Sequence, residues 1–215
     1  FQSLDDELSY TALKGILKQI PSIVPPLMQS HTRVDTVLPA QCPDDRLSDS
    51  TLSKTARRDG IWQLGTLGRG NHFVELQRDD QGGLWALVHS GSRAMGEAIT
   101  EFHLRRASRS VASGLAYLDI ASAEGQAYFH DMQWALHYAS ENRLLILNRV
   151  ADLVERQFGV DVVADSYLDC PHNFARQEVH FEQQLIVHRK SANSARTGEW
   201  GIIPRSEEHT SELQS

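Results

Sequence analysis

Three histidines stand where a chain turns. His72 follows a glycine-rich run in LGTLGRGNHFVEL (64–76), His89 closes the apolar run LWALVHS (84–90), and His172 follows Pro171 in DCPHNFARQE (169–178). Imidazole is a ligand for Mn, Zn, Fe or Ni. Gly65, Gly68 and Gly70 let the backbone turn tightly and aim its N–H groups at an anion. Gly65 to Gly70 has the glycine spacing of a Walker A loop, but Asn71 and His72 stand where that motif needs Lys-Ser/Thr. Arg93, just past His89, offers a planar fork of donors to a phosphate. Asn173 beside His172 can donate to an oxyanion, and His188-Arg189-Lys190 forms a compact basic group. Together these residues point to a divalent-metal site that handles phosphates. The same residues also fit a glycine hairpin around a buried histidine and a helix with a solvated arginine. Spacing alone leaves hydrolase and ligase chemistry open.

The elements that must hold these residues are of mixed type. Ser3 is a candidate cap for a helix whose apolar spacing runs to Pro21. Residues 21–60, with five prolines, read as a long irregular connection. Residues 61–64 and 71–77 read as strands flanking the glycine turn, DDQGG (79–83) as a turn and 84–90 as a buried strand. Ser90 or Ser92 is then the expected cap of a helix over 93–111, whose N-terminus favours an anion. Helical spacing holds over 122–159 and stops at Gly159, and 180–190 is strand-like and suits a hairpin. The absence of regular βαβ alternation predicts an α+β fold with a mixed sheet.

A formal charge of −7 argues against broad nonspecific nucleic-acid binding, which is driven by basic surface. No apolar run has the length of a membrane span. Cys42 and Cys170 are the only cysteines, so no disulfide framework exists and a reducing, cytoplasmic setting is expected. The segment RSEEHTSELQS (205–215) has no apolar period, and its back-translation looks like a sequencing-library adapter. It is expected to be a non-native tail, leaving 1–204 as an internal fragment of one domain, truncated at both ends.

Five stretches taken in order, LGTLGRGNHFVEL, VHSGSRAMGEAI, YFHDMQWALHYASENR, CPHNFARQE and VHRKSANSARTGEWGIIP, resemble the RtcB family of RNA-splicing ligases over about residues 61–204. The resemblance implies an RNA ligase using Mn²⁺ and GTP. It joins 2′,3′-cyclic phosphate or 3′-phosphate ends to 5′-OH ends through a histidine–GMP intermediate. RNA ends, such as tRNA halves, are then the partner, with no membrane. His72, His89 and His172 match the family's metal ligands. Asn71, His72, Phe73, Val74 and Glu75 match its GTP contacts, with Glu75 on the guanine, and His172 and Asn173 fall in the same nucleotide site. Arg93 matches an arginine for RNA phosphate. The family's aspartate and cysteine ligands lie in a D-x-G-C-G motif and its guanylylated histidine in H-G-A-G-R; neither occurs in this sequence. No catalytic nucleophile is therefore assigned, and these 215 residues alone are expected to be inactive. Two readings stand beside the ligase: a metal-dependent phosphohydrolase, and a non-catalytic relative that binds nucleotide or RNA ends.

Overall fold

The computed structural model describes residues 10–26, 37–109, 113–194 and 196–202. The Ser3 cap and the tail at 205–215 lie outside the described residues. The chain divides into two units, Phe1–Asp165 and Ser166–Ser215. The fold is α+β as expected. Among the described residues, however, the strands form three separate antiparallel pairs rather than one mixed sheet.

The first unit is organised by one long helix, α5 (Ala123–Phe158). The Ser122 hydroxyl accepts from Gly125 N at its start, and at its end Gly159 turns left-handed at φ 64°. Thirty-six residues make a rod about 54 Å long. Its buried positions include Trp134, Ala135, Tyr138, Asn142, Ile146, Val150, Leu153 and Val154, a stripe at helical period. The N-terminal half of this stripe joins Cys42, Leu52, Ala56, Leu64, Met95 and Ile99 in one apolar cluster. The C-terminal half joins Ile16, Ile20, Val24 and Leu84 in a second.

Helix α1 (Tyr10–Ile23) supplies Ile16 and Ile20. It runs past Pro21, where the sequence predicted a stop. A proline this close to the C-terminus removes one helical hydrogen bond, and burial of Ile20 and Val24 holds the last turn. Residues 50–63 overturn two further expectations. They form α2 (Ser50–Thr55), a π-helical turn (Ala56–Gly60) and α3 (Ile61–Gln63), neither irregular chain nor a strand at 61–64. Asp49 caps α2 by accepting from Thr51 N, and Tyr138 donates to the Gly60 carbonyl at 2.6 Å. Four apolar or neutral residues carry no period of their own; the neighbouring cap and core decide them as helix.

The glycine-rich run leads into β1 (Phe73–Arg78), paired antiparallel with β2 (Leu84–His89) from Phe73↔His89 to Arg78↔Leu84. The 79–83 turn is present, with Asp79 Oδ1 accepting from Gln81 N and Gly83 N. Val74, Leu76, Leu84, Ala86 and Val88 pack on the second apolar cluster. By alternation the other face carries Phe73, Glu75, Gln77, Trp85, Leu87 and His89. Strand β2 is therefore covered on one face and is less buried than expected; Trp85 is 48% exposed. Helix α4 (Arg93–Leu104) ends before the predicted 111, and β3 (Ser108–Arg109) pairs with β4 (Ala116–Tyr117).

The second unit is built on a hairpin, β5 (Asn173–His180) with β6 (Gln183–Lys190). It is longer than the 180–190 segment expected, because the strand begins inside DCPHNFARQE. Its turn places Phe181 and Glu182 at φ 53° and 62°, the double left-handed geometry of a two-residue hairpin without the usual glycine or asparagine.

Candidate functional site

Two of the three expected metal ligands come together. The His72 and His89 rings lie edge to face with centroids 5.5 Å apart. His89 also meets the Phe73 ring at 5.4 Å. Strand pairing explains this: Phe73 faces His89 across the ladder, and His72 is the residue before β1. Two imidazoles sharing one divalent ion, each nitrogen about 2.1 Å from it, hold their centres about 5 Å apart. The observed centroid separation is close to that spacing, and imidazole is a ligand type that transition metals take.

Arg93 reaches the same place from α4. Its Nε donates to Thr66 Oγ1 at 3.1 Å, and its Nη1 lies 3.5 Å from His72 Nδ1. Burial lowers its pKa from the ordinary value. Its backbone is left-handed, at φ 54°, a strained conformation for a side-chain-bearing residue. Gly68, at φ 103°, sits under this contact; a Cβ there would collide with Arg93 Nη1 and His72 Nδ1. The glycine therefore makes room for the arginine and the histidine to meet.

The expected serine cap is replaced. Ser92 makes no side-chain cap bond, and Ser90 Oγ donates instead to Leu67 O at 2.6 Å. Gln63 Oε1, from α3, accepts from Ala94 N in the first turn of α4.

The sequence reading missed Asn142. It is fully buried on α5, between the two apolar clusters. Its Oδ1 accepts from Gly65 N at 2.7 Å. Its Nδ2 lies within donating distance of Thr66 O at 3.2 Å, Ser90 Oγ at 3.0 Å and Gly91 O at 3.4 Å. One amide thus holds the loop leading to His72 and the loop leaving His89. Arg143 Nη1 adds a bond to Ser90 O, and Arg149 Nη1 one to Gly65 O. The available signal was an asparagine at an apolar position of the α5 stripe.

The remaining site candidates are placed as follows. Asn71 and Glu75 are exposed, and Glu75 shares the outer face of the hairpin with Phe73 and His89. Val74 turns its side chain to the core, leaving only its backbone for a ligand. His172 and Asn173 belong to the second unit. There Ala192 N donates to His172 O, and Ser191 N to Asn173 Oδ1 at 2.8 Å. Among the described residues no group of three or more His, Cys, Asp or Glu side chains is gathered for a metal ion.

In the basic group at 188–190, one cation is already engaged. Arg189 is committed to the buried Glu178, at 2.5 and 3.0 Å. Burial, with the charge of Glu141 adding to it, pushes the Cys42 thiol up to about 12, far from a metal-binding thiolate. His103, on α4, is a core residue. Its Nε2 lies 2.7 Å from the buried Asp131, which also accepts from Ser48 N and Oγ.

The model of the family "tRNA-splicing ligase RtcB" matches residues 15–213. The chain belongs to the RtcB family. The RNA-splicing ligase RtcB of Escherichia coli strain K12 is 37% identical over 156 residues, 66% of this chain and 38% of that protein. The tRNA-splicing ligase RtcB of Methanococcus maripaludis is 33% identical over 178 residues, 69% of this chain and 37% of its own length. That of Methanocaldococcus jannaschii is 32% identical over 185 residues, 73% and 19%. This RtcB-family chain therefore spans under two fifths of the length of these relatives. The family match begins well before residue 61 and runs past Pro204, beyond the five stretches that carried the resemblance. No described helix is long and apolar enough to cross a membrane.

Proposed function

We propose that this RtcB-family chain supplies part of the metal and nucleotide site of an RNA ligase. The reaction joins 2′,3′-cyclic phosphate or 3′-phosphate RNA ends to 5′-OH ends through a histidine–GMP intermediate, with Mn²⁺ and GTP. The observation that carries this reading is the pairing of His72 with His89 under Arg93, 5.5 Å between ring centres. His72 and His89 would hold the cation, with His172 as the ligand the resemblance adds. A bound divalent ion offsets the repulsion between phosphates that ligation brings together.

The chain's own residues do the rest. Gly68 and Gly70, both at positive φ, open the backbone so that an anionic group approaches beside His72. The Arg93 guanidinium, with Nε bound to Thr66, is aimed at the same space and is suited to hold a phosphate oxygen. Phe73 and Glu75 present an aromatic ring and a carboxylate on the hairpin face that carries His89. Such a pair suits a guanine, with a ring to pack on and an acceptor for its N–H groups.

The test is Mn²⁺ titration of the 215-residue chain, followed by paramagnetic broadening of histidine NMR signals. The expected result is broadening of His72 and His89, with His72→Ala removing the broadening of His89 and His89→Ala that of His72. His172→Ala tests the third ligand separately. Failure of Mn²⁺ to broaden either His72 or His89 overturns the metal assignment. The chain alone is expected to yield no ligated RNA with Mn²⁺ and GTP; ligated product from the purified chain would overturn the assignment of its nucleophile to a segment it lacks.

A further inference from the structure

We propose that Asn142 is the positioning residue of this site: its buried amide sets the spacing of His72 and His89, and through them the affinity for a divalent ion. The second half of this statement rests on the metal reading above; the first does not.

Asn142 interrupts an otherwise apolar stretch of stripe, with Tyr138 and Ala139 before it and Ile146 after. A buried amide costs free energy unless its donors and acceptor are satisfied. An apolar residue of similar volume would continue the core without that cost. The amide is satisfied only when two separate loops are in place: Gly65–Thr66 for the oxygen and one N–H, Ser90–Gly91 for the rest. Ser90 closes the circuit by donating to Leu67 O while lying 3.0 Å from Asn142 Nδ2. The first loop leads through Gly68 to His72. The second begins one residue after His89 and ends at Arg93. Every residue of the histidine–arginine cluster is thus one short segment away from the same buried amide. Shared hydrogen bonds of this kind move together rather than singly.

The experiment uses the full chain, free of metal, and reads the imidazole NMR signals of His72, His89 and His103. His103 serves as the internal control because it is buried against Asp131 in a network that shares no bond with Asn142. Asn142→Leu keeps the branched shape and the apolar stripe but removes the bonds to both loops. The expected result is displaced His72 and His89 signals, an unchanged His103 signal and a Mn²⁺ Kd raised about 10- to 100-fold. Unmoved His72 and His89 signals in a folded Asn142→Leu protein would mean that the side chain only fills space, and the proposal would be wrong. If that variant loses the His103 signal and so fails to fold, Ser90→Ala decides, since it removes one hydroxyl of the circuit. Displacement of the His72 signal, remote in sequence from Ser90, supports the proposal; an unmoved His72 overturns it. A wild-type chain that binds no Mn²⁺ sinks the metal reading alone, because the metal-free signals still decide the positioning role.

Discussion

The two large hairpins, β1–β2 and β5–β6, are both antiparallel and both carry histidine and arginine, yet they are held in opposite ways. In β1–β2 one face is a sheet of aliphatic side chains against α1 and α5, so the polar residues on the other face are left for chemistry. In β5–β6 the buried centre is a carboxylate. Glu178, 3% exposed, takes two bonds from Arg189 and one contact each from His180 and Arg196. Arg189 also packs its guanidinium 5.3 Å from the Phe174 ring. A hairpin anchored by oil can spend its histidines and arginine on a ligand. A hairpin anchored by charge has already committed Arg189 and His180 to its own carboxylate.

The largest effect expected from this difference is in the second hairpin. Glu178→Ala removes the acceptor of two arginines and a histidine at once and is expected to abolish the protection of β5–β6 amides in hydrogen exchange, while β1–β2 stays protected. Equal loss in both hairpins would erase the contrast. The same anchor titrates. The hydrogen bonds from Arg189, then that from His180, hold the Glu178 carboxyl at about 2, below its ordinary 4.5. Its folded value is the lower one, so its contribution is complete above about 4.5 and is lost as pH falls towards 2. Amide exchange followed down this range should open β5–β6 as the carboxyl protonates, and Glu178→Gln should remove that dependence.

The glycine loop sharpens the other side. Gly68→Ala places a methyl where Arg93 and His72 meet, at a backbone angle that costs about 1–3 kcal/mol for a residue with a side chain. It should lower the melting temperature and separate Arg93 from His72, seen as a displaced His72 signal. Gly70→Ala, at φ 81° with open space around it, should cost about 1–2 kcal/mol from the backbone alone and leave His72 where it is. If the two variants behave alike, the steric role of Gly68 is wrong. The smallest effect concerns the second hairpin's turn. Glu182→Gly relieves a left-handed residue and should stabilise β5–β6 by about 1 kcal/mol, measured as slower amide exchange.

How much of this was legible in the sequence differs between the two hairpins for the same physical reasons. DDQGG announces its turn because aspartate and glycine have few other uses in such a row. Phe181-Glu182 announces nothing, since neither residue favours the conformation it adopts. Helix α5 was legible from Ser122 to Gly159 because its period repeats over ten turns between a cap and a left-handed stop. Residues 50–63 were not, because short apolar runs have no period to read and their helical state is imposed by Tyr138, Met95 and the Asp49 cap. The His72–His89 pair was within reach, because both residues sit at strand ends flanked by glycine. Asn142 was not found, because one asparagine within a long helix is usually a solvated position. Only its phase in the buried stripe marks it. Arg189 misled for a related reason: sequence shows a cation but not the buried acid eleven residues earlier that claims it.

Helix α5 also limits how this unit can change. Its upper and lower halves serve different apolar clusters, and the amide between them must face two loops at once. One added residue between Tyr138 and Ile146 would rotate the lower half against the upper by about 100°. Either Trp134 and Tyr138 or Val150 and Leu153 would then swing out to water. Length here is phase-locked: the rod tolerates exchanges of side chain, whereas a single-codon insertion at its midpoint would cost the unit one of its two hydrophobic anchorages.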